Sequence, residues 1–440
     1  MALNQKLVDM HSRIICCWIA LFIGFLAFDV SACSMYKVTV HDKTMVGTNF
    51  DAYYRTPRIW FERGDSARPY GAAFSGGRLD GKMGYAPQSG MNEVGLSFSR
   101  LAAPTPETNL VDMSQRKAIT NPNAYLKDIL HQCKTIEEVE QFVNQYDHSY
   151  FPQDVFIYIE KSGRYLIVEP YATMKGEDSA YVLSNFCPTV TNAAYRHKLV
   201  RYHNGVEFLK SKRDTTIDFC TALSDTMHVC RKKLGDGTLL SSLWDLKSGM
   251  ITLYFYHDYQ HKVSFNIHEE LAKGDHSFDI VNLFPPNAEF QKLCSIVTPQ
   301  THPSMGLFLS ICRILLITSG LYLFIAFLCK RKTSINAKYF FVGAALNVVL
   351  LFFLVMLALN IAFFYASAPY QDYKFTLLTV AGYVPFLLLL LLFPILRINW
   401  KVMKETSWHF ISKGVFTLNS LLYLVLFFLF AYWGFYSVWI

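Results

Sequence analysis

Beyond about residue 304 the chain consists of four apolar runs, Met305 to Cys329, Phe340 to Ala366, Phe375 to Leu396 and Val415 to Ile440. Each is long enough to cross a bilayer as a helix. A backbone in hydrocarbon has to satisfy its own hydrogen bonds, so residues 305–440 are expected to form an all-α, four-helix transmembrane domain. The first two-thirds instead alternates polar and apolar residues, as a globular domain does. Over the 440 residues, 52% are hydrophobic and only 17% charged, a balance that the apolar runs explain. Basic loops, Lys330-Arg331-Lys332 with Lys338 and then Arg397 through Lys401, Lys404 and Lys413, supply part of the net charge of +7. Positive-inside logic places them in the cytoplasm and the residues before Met305 outside. Charge so distributed gives no support to a nucleic-acid role.

The start of the chain agrees with export. Lys6 and Arg13 precede an apolar run from Ile14 to Phe28, followed by Val30-Ser31-Ala32, so residues 1–32 read as a cleavable signal peptide. Cleavage would leave Cys33 with a thiol and a free α-amine. An α-amine titrates at about 7.7 to 8.0, close enough to neutrality to accept the thiol proton. One residue then holds both nucleophile and base. Two other readings stand beside this one: a lipoprotein signal, whose lipidation would consume both groups, and an ordinary buried cysteine.

Of the ten cysteines, Cys16 and Cys17 leave with the signal, and Cys220 with Cys230 is a candidate disulfide in an oxidising compartment. No metal-type CxxC occurs, and neither a metal site nor a cofactor is indicated. The chain also has no Asn-x-Ser/Thr acceptor, which for an exported protein favours a prokaryotic source, hence a periplasmic location, or an unglycosylated surface.

Residues 33–284 read as one domain, 285–304 as a linker containing Pro285-Pro286 and the polar Thr298 to Pro303 stretch. Ser34 to Val40 and Thr44 to Phe50 predict strands around the turn His41-Asp42-Lys43. A hairpin centred on Asp42 would set Cys33 opposite Asp51. A second hairpin is expected around Met91-Asn92-Glu93-Val94-Gly95, and a helix from Asn121 to Tyr146. Val155 to Ile159 with Tyr165 to Val168, and Ser242 to Trp244 with Met250 to Tyr256, predict further strand pairs.

The motifs ACSMYKVTV, GTNFD from Gly47, GMNEVGL from Gly90, SNF from Ser184 and SLWDLKSGMITLYF from Ser242 resemble those of the N-terminal-nucleophile amidases of the choloylglycine hydrolase and penicillin V acylase kind. The resemblance spans about Cys33 to Tyr256. It implies an α+β domain of four αββα layers that cleaves linear amides through an acyl-thioester. It also implies Cys33 as nucleophile, Asp51 as the acid that holds the terminal amine, and Asn185 as an oxyanion donor. Arg196 is the implied arginine beside the substrate, with Arg201 as the alternative. Thr48 stands where many relatives carry arginine and Ala102 where bile-salt-type members carry asparagine, so bile-salt and penicillin specificity do not transfer.

Each residue also has a plainer explanation: Asp51 ending a strand, Asn185 satisfying a loop, Asn92 turning a hairpin, Arg196 on a solvated helix, and Tyr53, Tyr54 and Trp60 as packing rather than an acyl pocket. In the membrane runs, Asn347, Asn360 and Asn419 are candidates for interhelical hydrogen bonds, and Pro385 and Pro394 for kinks. The expected function is a membrane-tethered, outward-facing amidase acting on an N-acylated small molecule, with the bilayer as its other partner. An acyltransferase on the same scaffold, a non-catalytic binding or assembly protein, and a small transporter are the rivals. Oligomeric state is not legible.

Overall fold

The computed structural model describes residues 33–52, 55–79, 81–104, 106, 115–230, 237–330, 336–360, 362–365, 368–370 and 376–437. The signal peptide and the Tyr53-Tyr54 pair lie outside them.

Among the described residues a two-stranded ribbon, Arg78–Leu79 with Tyr85–Ala86, accompanies two large antiparallel sheets. One has six strands in the order Ala180–Leu183, Ser34–Val40, Lys43–Ala52, Gly237–Asp245, Met250–Phe255, Asp258–Asn266. The other has eight: Thr173–Gly176, Tyr165–Val168, Asp154–Ile159, Ser97–Ala102, Ser89–Asn92, Ala72–Gly76, Arg58–Glu62, His276–Asp279. Alternation along each strand sends successive side chains to opposite faces. Met35, Val46 and Phe50 of the six-stranded sheet accordingly share one buried cluster with Met91, Ile157 and Ile167 of the eight-stranded sheet. The opposite face of the former, through Tyr36, Val38 and Leu243, packs on Leu209 and Leu223 from helices Val200–Ser211 and Ile217–Thr226. The opposite face of the latter, through Phe98, Phe156 and Tyr158, packs on Leu126, Ile129 and Val139.

Several expected elements change in detail. The first hairpin closes through only His41-Asp42, with Val40 paired to Lys43 and Ser34 to Asn49. The expected facing of Cys33 with Asp51 is therefore off by one residue. His41, at φ 56°, accepts the left-handed conformation that a two-residue turn requires. The single expected helix from Asn121 is two helices, Pro122–Gln132 and Ile136–Val143. Cys133 turns extended, and the Thr135 side chain accepts a hydrogen bond from Glu138 N, capping the second helix so that the chain restarts there. The Cys220–Cys230 disulfide does not form: Cys220 is buried among Tyr36 and Leu223, whereas Cys230 is exposed beside Glu289.

A helix, Ala288–Ser295, lies inside the expected linker. Four helices long and apolar enough to cross a membrane follow: Pro303–Lys330, Ala337–Leu359, Leu377–Lys404 and Phe410–Tyr432. The second ends at Leu359, short of the expected Ala366, and the third continues through Arg397 and Lys401 to Lys404, where a loop was expected. Within that stretch a helix Leu377–Gly382 precedes a longer one, Val384–Lys404, which Pro385 opens and which holds Pro394 in its interior. Asn347 donates to Ser319 Oγ at 2.9 Å and to Asn419 Oδ1 at 3.1 Å, and Tyr423 OH donates to Asn347, tying three helices. Trp433 Nε1 donates to Val297 O at 2.9 Å, joining the end of the last helix to the segment that leaves the sheet domain.

Candidate active site

Cys33 immediately precedes the first strand and is 4% exposed, with φ 109°. Residues paired across a ladder point to the same face, so the two-residue turn places Asp51 on the face opposite the Cys33 side chain. The carboxylate consequently meets the backbone rather than the thiol. Cys33 N donates to Asp51 Oδ2 at 3.2 Å, while the thiol lies 3.9 Å from Asp51 O. The nitrogen that cleavage would turn into an α-amine is the atom the acid holds.

Asp51 has no exposed side chain, and an isolated carboxylate there would carry a severe desolvation cost. Three donors offset it. Besides Cys33 N, Arg201 Nη1 donates to Oδ2 at 2.5 Å and Thr238 Oγ1 to Oδ1 at 2.5 Å. Thr238 faces Asp51 across the ladder between strands Lys43–Ala52 and Gly237–Asp245, just before a bulge. Arg201 comes from the first turn of helix Val200–Ser211. Thr48 bonds Ser99 Oγ at 2.6 Å on the eight-stranded sheet, and the cation beside Asp51 is Arg201.

The Arg201 guanidinium also donates through Nη2 to Asn185 Oδ1 at 3.2 Å. Ser184 Oγ donates to the same oxygen at 3.2 Å and to Cys33 O at 3.3 Å. With two donors on Oδ1, the amide is oriented so that Nδ2 donates to Ala102 O at 2.8 Å. The structure thus brings Cys33, Asp51 and Asn185 into one hydrogen-bonded group, joined by Arg201. Arg196 is not part of that group. It donates to Pro188 O and Thr191 O and lies over the Phe186 ring at 5.2 Å, bracing the loop that follows Asn185.

Gln88 was not apparent from the sequence. Its Nε2 donates to Arg100 O at 2.6 Å and approaches Cys33 Sγ at 4.0 Å, from the bend just before strand Ser89–Asn92, which pairs with the strand that ends in Ala102. Only the pairing between Ser89–Asn92 and Ser97–Ala102 brings it there, and no local motif marks it. Thr238 has the same history, whereas Ser184 lay within the SNF motif without an assigned role. Trp60 stacks on Phe74 at 5.7 Å, in the cluster that packs on helices Pro122–Gln132 and Ile136–Val143.

Burial first, and the Asp51 charge second, push the Cys33 thiol from 9.0 up to about 12. The resting sulfur at neutral pH is therefore a thiol. Nucleophilic use of it requires a base that removes the proton as the bond forms.

No protein-family model and no curated protein matches the chain. Among solved structures, two variants of a conjugated bile acid hydrolase from Clostridium perfringens are similar to it. One is 13% identical with a TM-score of 0.43, and the other 12% identical with a TM-score of 0.44. Each alignment covers 58% of this chain and 97% of the other.

Proposed function

We propose that this chain is a membrane-tethered, outward-facing amidase that hydrolyses a linear amide of an N-acylated small molecule through an acyl-thioester on Cys33. The observation that carries the reading is the buried Asp51 carboxylate bonded at once to Cys33 N, Arg201 and Thr238. A carboxylate so placed holds the α-amine of a processed Cys33 and stabilises its protonated form. The two sheets with helix clusters on their outer faces also suit the four-layer arrangement of an N-terminal-nucleophile hydrolase.

In the proposed cycle the Cys33 amine takes the thiol proton as sulfur attacks the amide carbonyl carbon. The carbonyl electron pair moves onto oxygen, and the oxyanion accepts from Asn185 Nδ2 and from Gln88 Nε2, which takes the place left by Ala102. Collapse breaks the C–N bond, and the α-ammonium gives its proton to the departing amine. A water, deprotonated by the same α-amine, then attacks the thioester and releases the acid, and sulfur recovers its proton. Each preorganised donor contributes about 2.7–4 kcal/mol in comparable sites.

In a correctly processed protein, Cys33→Ala should abolish formation of a covalent acyl-enzyme with an N-acyl substrate panel, and undiminished turnover would refute the mechanism. A non-catalytic binding protein on the same scaffold draws support from the deep burial of Cys33. Silence of a mature Cys33 terminus toward a thiol-directed activity probe would favour that alternative.

A further inference from the structure

Away from Asp51, three segments bring a thiol, an imidazole and a carboxylate together. Cys230 pairs with Gly237 in an isolated bridge after helix Ile217–Thr226, His257 occupies the turn between strands Met250–Phe255 and Asp258–Asn266, and Glu289 lies in the first turn of helix Ala288–Ser295. One ligand atom from each lies within 4.8 Å of the others. His257 Nε2 is 2.7 Å from Glu289 Oε2, and Cys230 Sγ is 3.9 Å from that oxygen. We propose that Cys230, His257 and Glu289 bind a divalent transition-metal ion of the zinc class.

The donor set selects the ion. A thiolate and an imidazole exclude calcium and magnesium, which demand oxygen ligands, and suit zinc, which accepts S, N and O in a tetrahedron completed by water. Zinc bonds of about 2.0–2.3 Å place tetrahedral ligand atoms roughly 3.2–3.7 Å apart. The S···O separation needs to close slightly and the N···O hydrogen bond to open slightly. Uptake releases the Cys230 thiol proton, and the imidazole proton moves from Nε2 to Nδ1.

The imidazole is already fixed. Tyr256 and His257 are held at φ 52° and 47°, Tyr256 is fully buried, and the His257 side chain is only 10% exposed. Its Nδ1 is buried with no hydrogen-bond partner among the described residues, so Glu289 satisfies only one nitrogen of the ring. Two potential anions and a neutral ring match the charge of a divalent ion.

Such an ion would staple the edge of the six-stranded sheet to the helix that leads into the membrane span, where Phe290 already packs on Phe255 and Tyr256 at 4.9 and 5.1 Å. It would also fix the residue next to Val229, whose N donates to Thr238 Oγ1 at 2.9 Å, itself the donor to Asp51.

The test uses the full chain in detergent, stripped with a chelator and titrated with Zn²⁺ against a chromogenic zinc indicator, with Co²⁺ as a spectroscopic substitute. The expected result is one equivalent of zinc per chain and thiolate-to-cobalt charge-transfer absorption. Affinity should fall at least tenfold in Cys230→Ser and in Glu289→Gln, and the cobalt band should vanish in Cys230→Ser. Failure to take up stoichiometric zinc overturns the proposal. Uptake surviving both substitutions, as binding at a terminal Cys33 would, overturns it equally.

Discussion

At the scale of the residue, the Asp51 cluster sets a protein-wide dependence on one guanidinium. Removing one partner of a buried ion pair leaves the other charge uncompensated, typically at about 3–5 kcal/mol. Arg201→Leu should therefore lower stability by that order in chemical denaturation, while Arg196→Leu, which loses only loop contacts, should cost clearly less. Thr238→Val removes one donor to a carboxylate that keeps two others and should cost about 1.5–3 kcal/mol. The raised thiol adds a pH signature. The folded state keeps a proton that an unfolded thiol gives up, so stability from this group is complete below pH 9.0 and declines as pH rises toward about 12. Cys33→Ala should flatten that alkaline decline in melts recorded across the window. Spacing alone pointed to the Cys33–Asp51 pair, although the face was misjudged, because one residue of register reverses every side chain. Arg201 and Arg196 could not be separated in the sequence: they lie on consecutive short helices, and only tertiary packing sends one of them to Asp51.

At the scale of the element, turn chemistry was the most readable feature. Between the expected strand pair Val155 to Ile159 and Tyr165 to Val168, Gly163 turns the chain at φ 91°, with Lys37 Nζ donating to its carbonyl at 2.7 Å. A Cβ there would come within 2.2 Å of Thr39 Oγ1, so Gly163→Ala should destabilise the domain by more than about 1 kcal/mol in equilibrium unfolding. The division of the expected Asn121 helix was harder to see, because apolar spacing continues through Cys133 and only the Thr135 cap interrupts it. Helix Pro122–Gln132 also carries Tyr125, whose hydroxyl is 2.6 Å from His148 Nε2. Burial pulls His148 from 6.5 down to about 4, so the unfolded chain binds the extra proton between those values. Its contribution is complete above pH 6.5 and is lost as pH falls toward 4.

At the scale of the whole molecule, the four helices among the described residues that are long and apolar enough to cross a membrane begin and end beside the sheets, where Trp433 bonds Val297. Lys330, Lys338, Lys404 and Lys413 consequently gather at the far end. Hydropathy marked the four long apolar helices, but their exact ends were obscured where Arg397 and Lys401 continue a helix instead of ending it. Asn347→Leu should weaken the bundle by roughly 0.6–2 kcal/mol in detergent unfolding, since Ser319, Asn419 and Tyr423 all bond that side chain. The central claim is that Cys33 becomes an amino-terminal nucleophile. N-terminal peptide mass spectrometry of the purified protein, after brief exposure to a panel of N-acyl substrates and acid quench, tests it most directly. The account predicts a chain starting at Cys33 that carries a single substrate-derived acyl group on its sulfur. A retained leader, a lipid-modified Cys33 or an adduct on any other residue would contradict it.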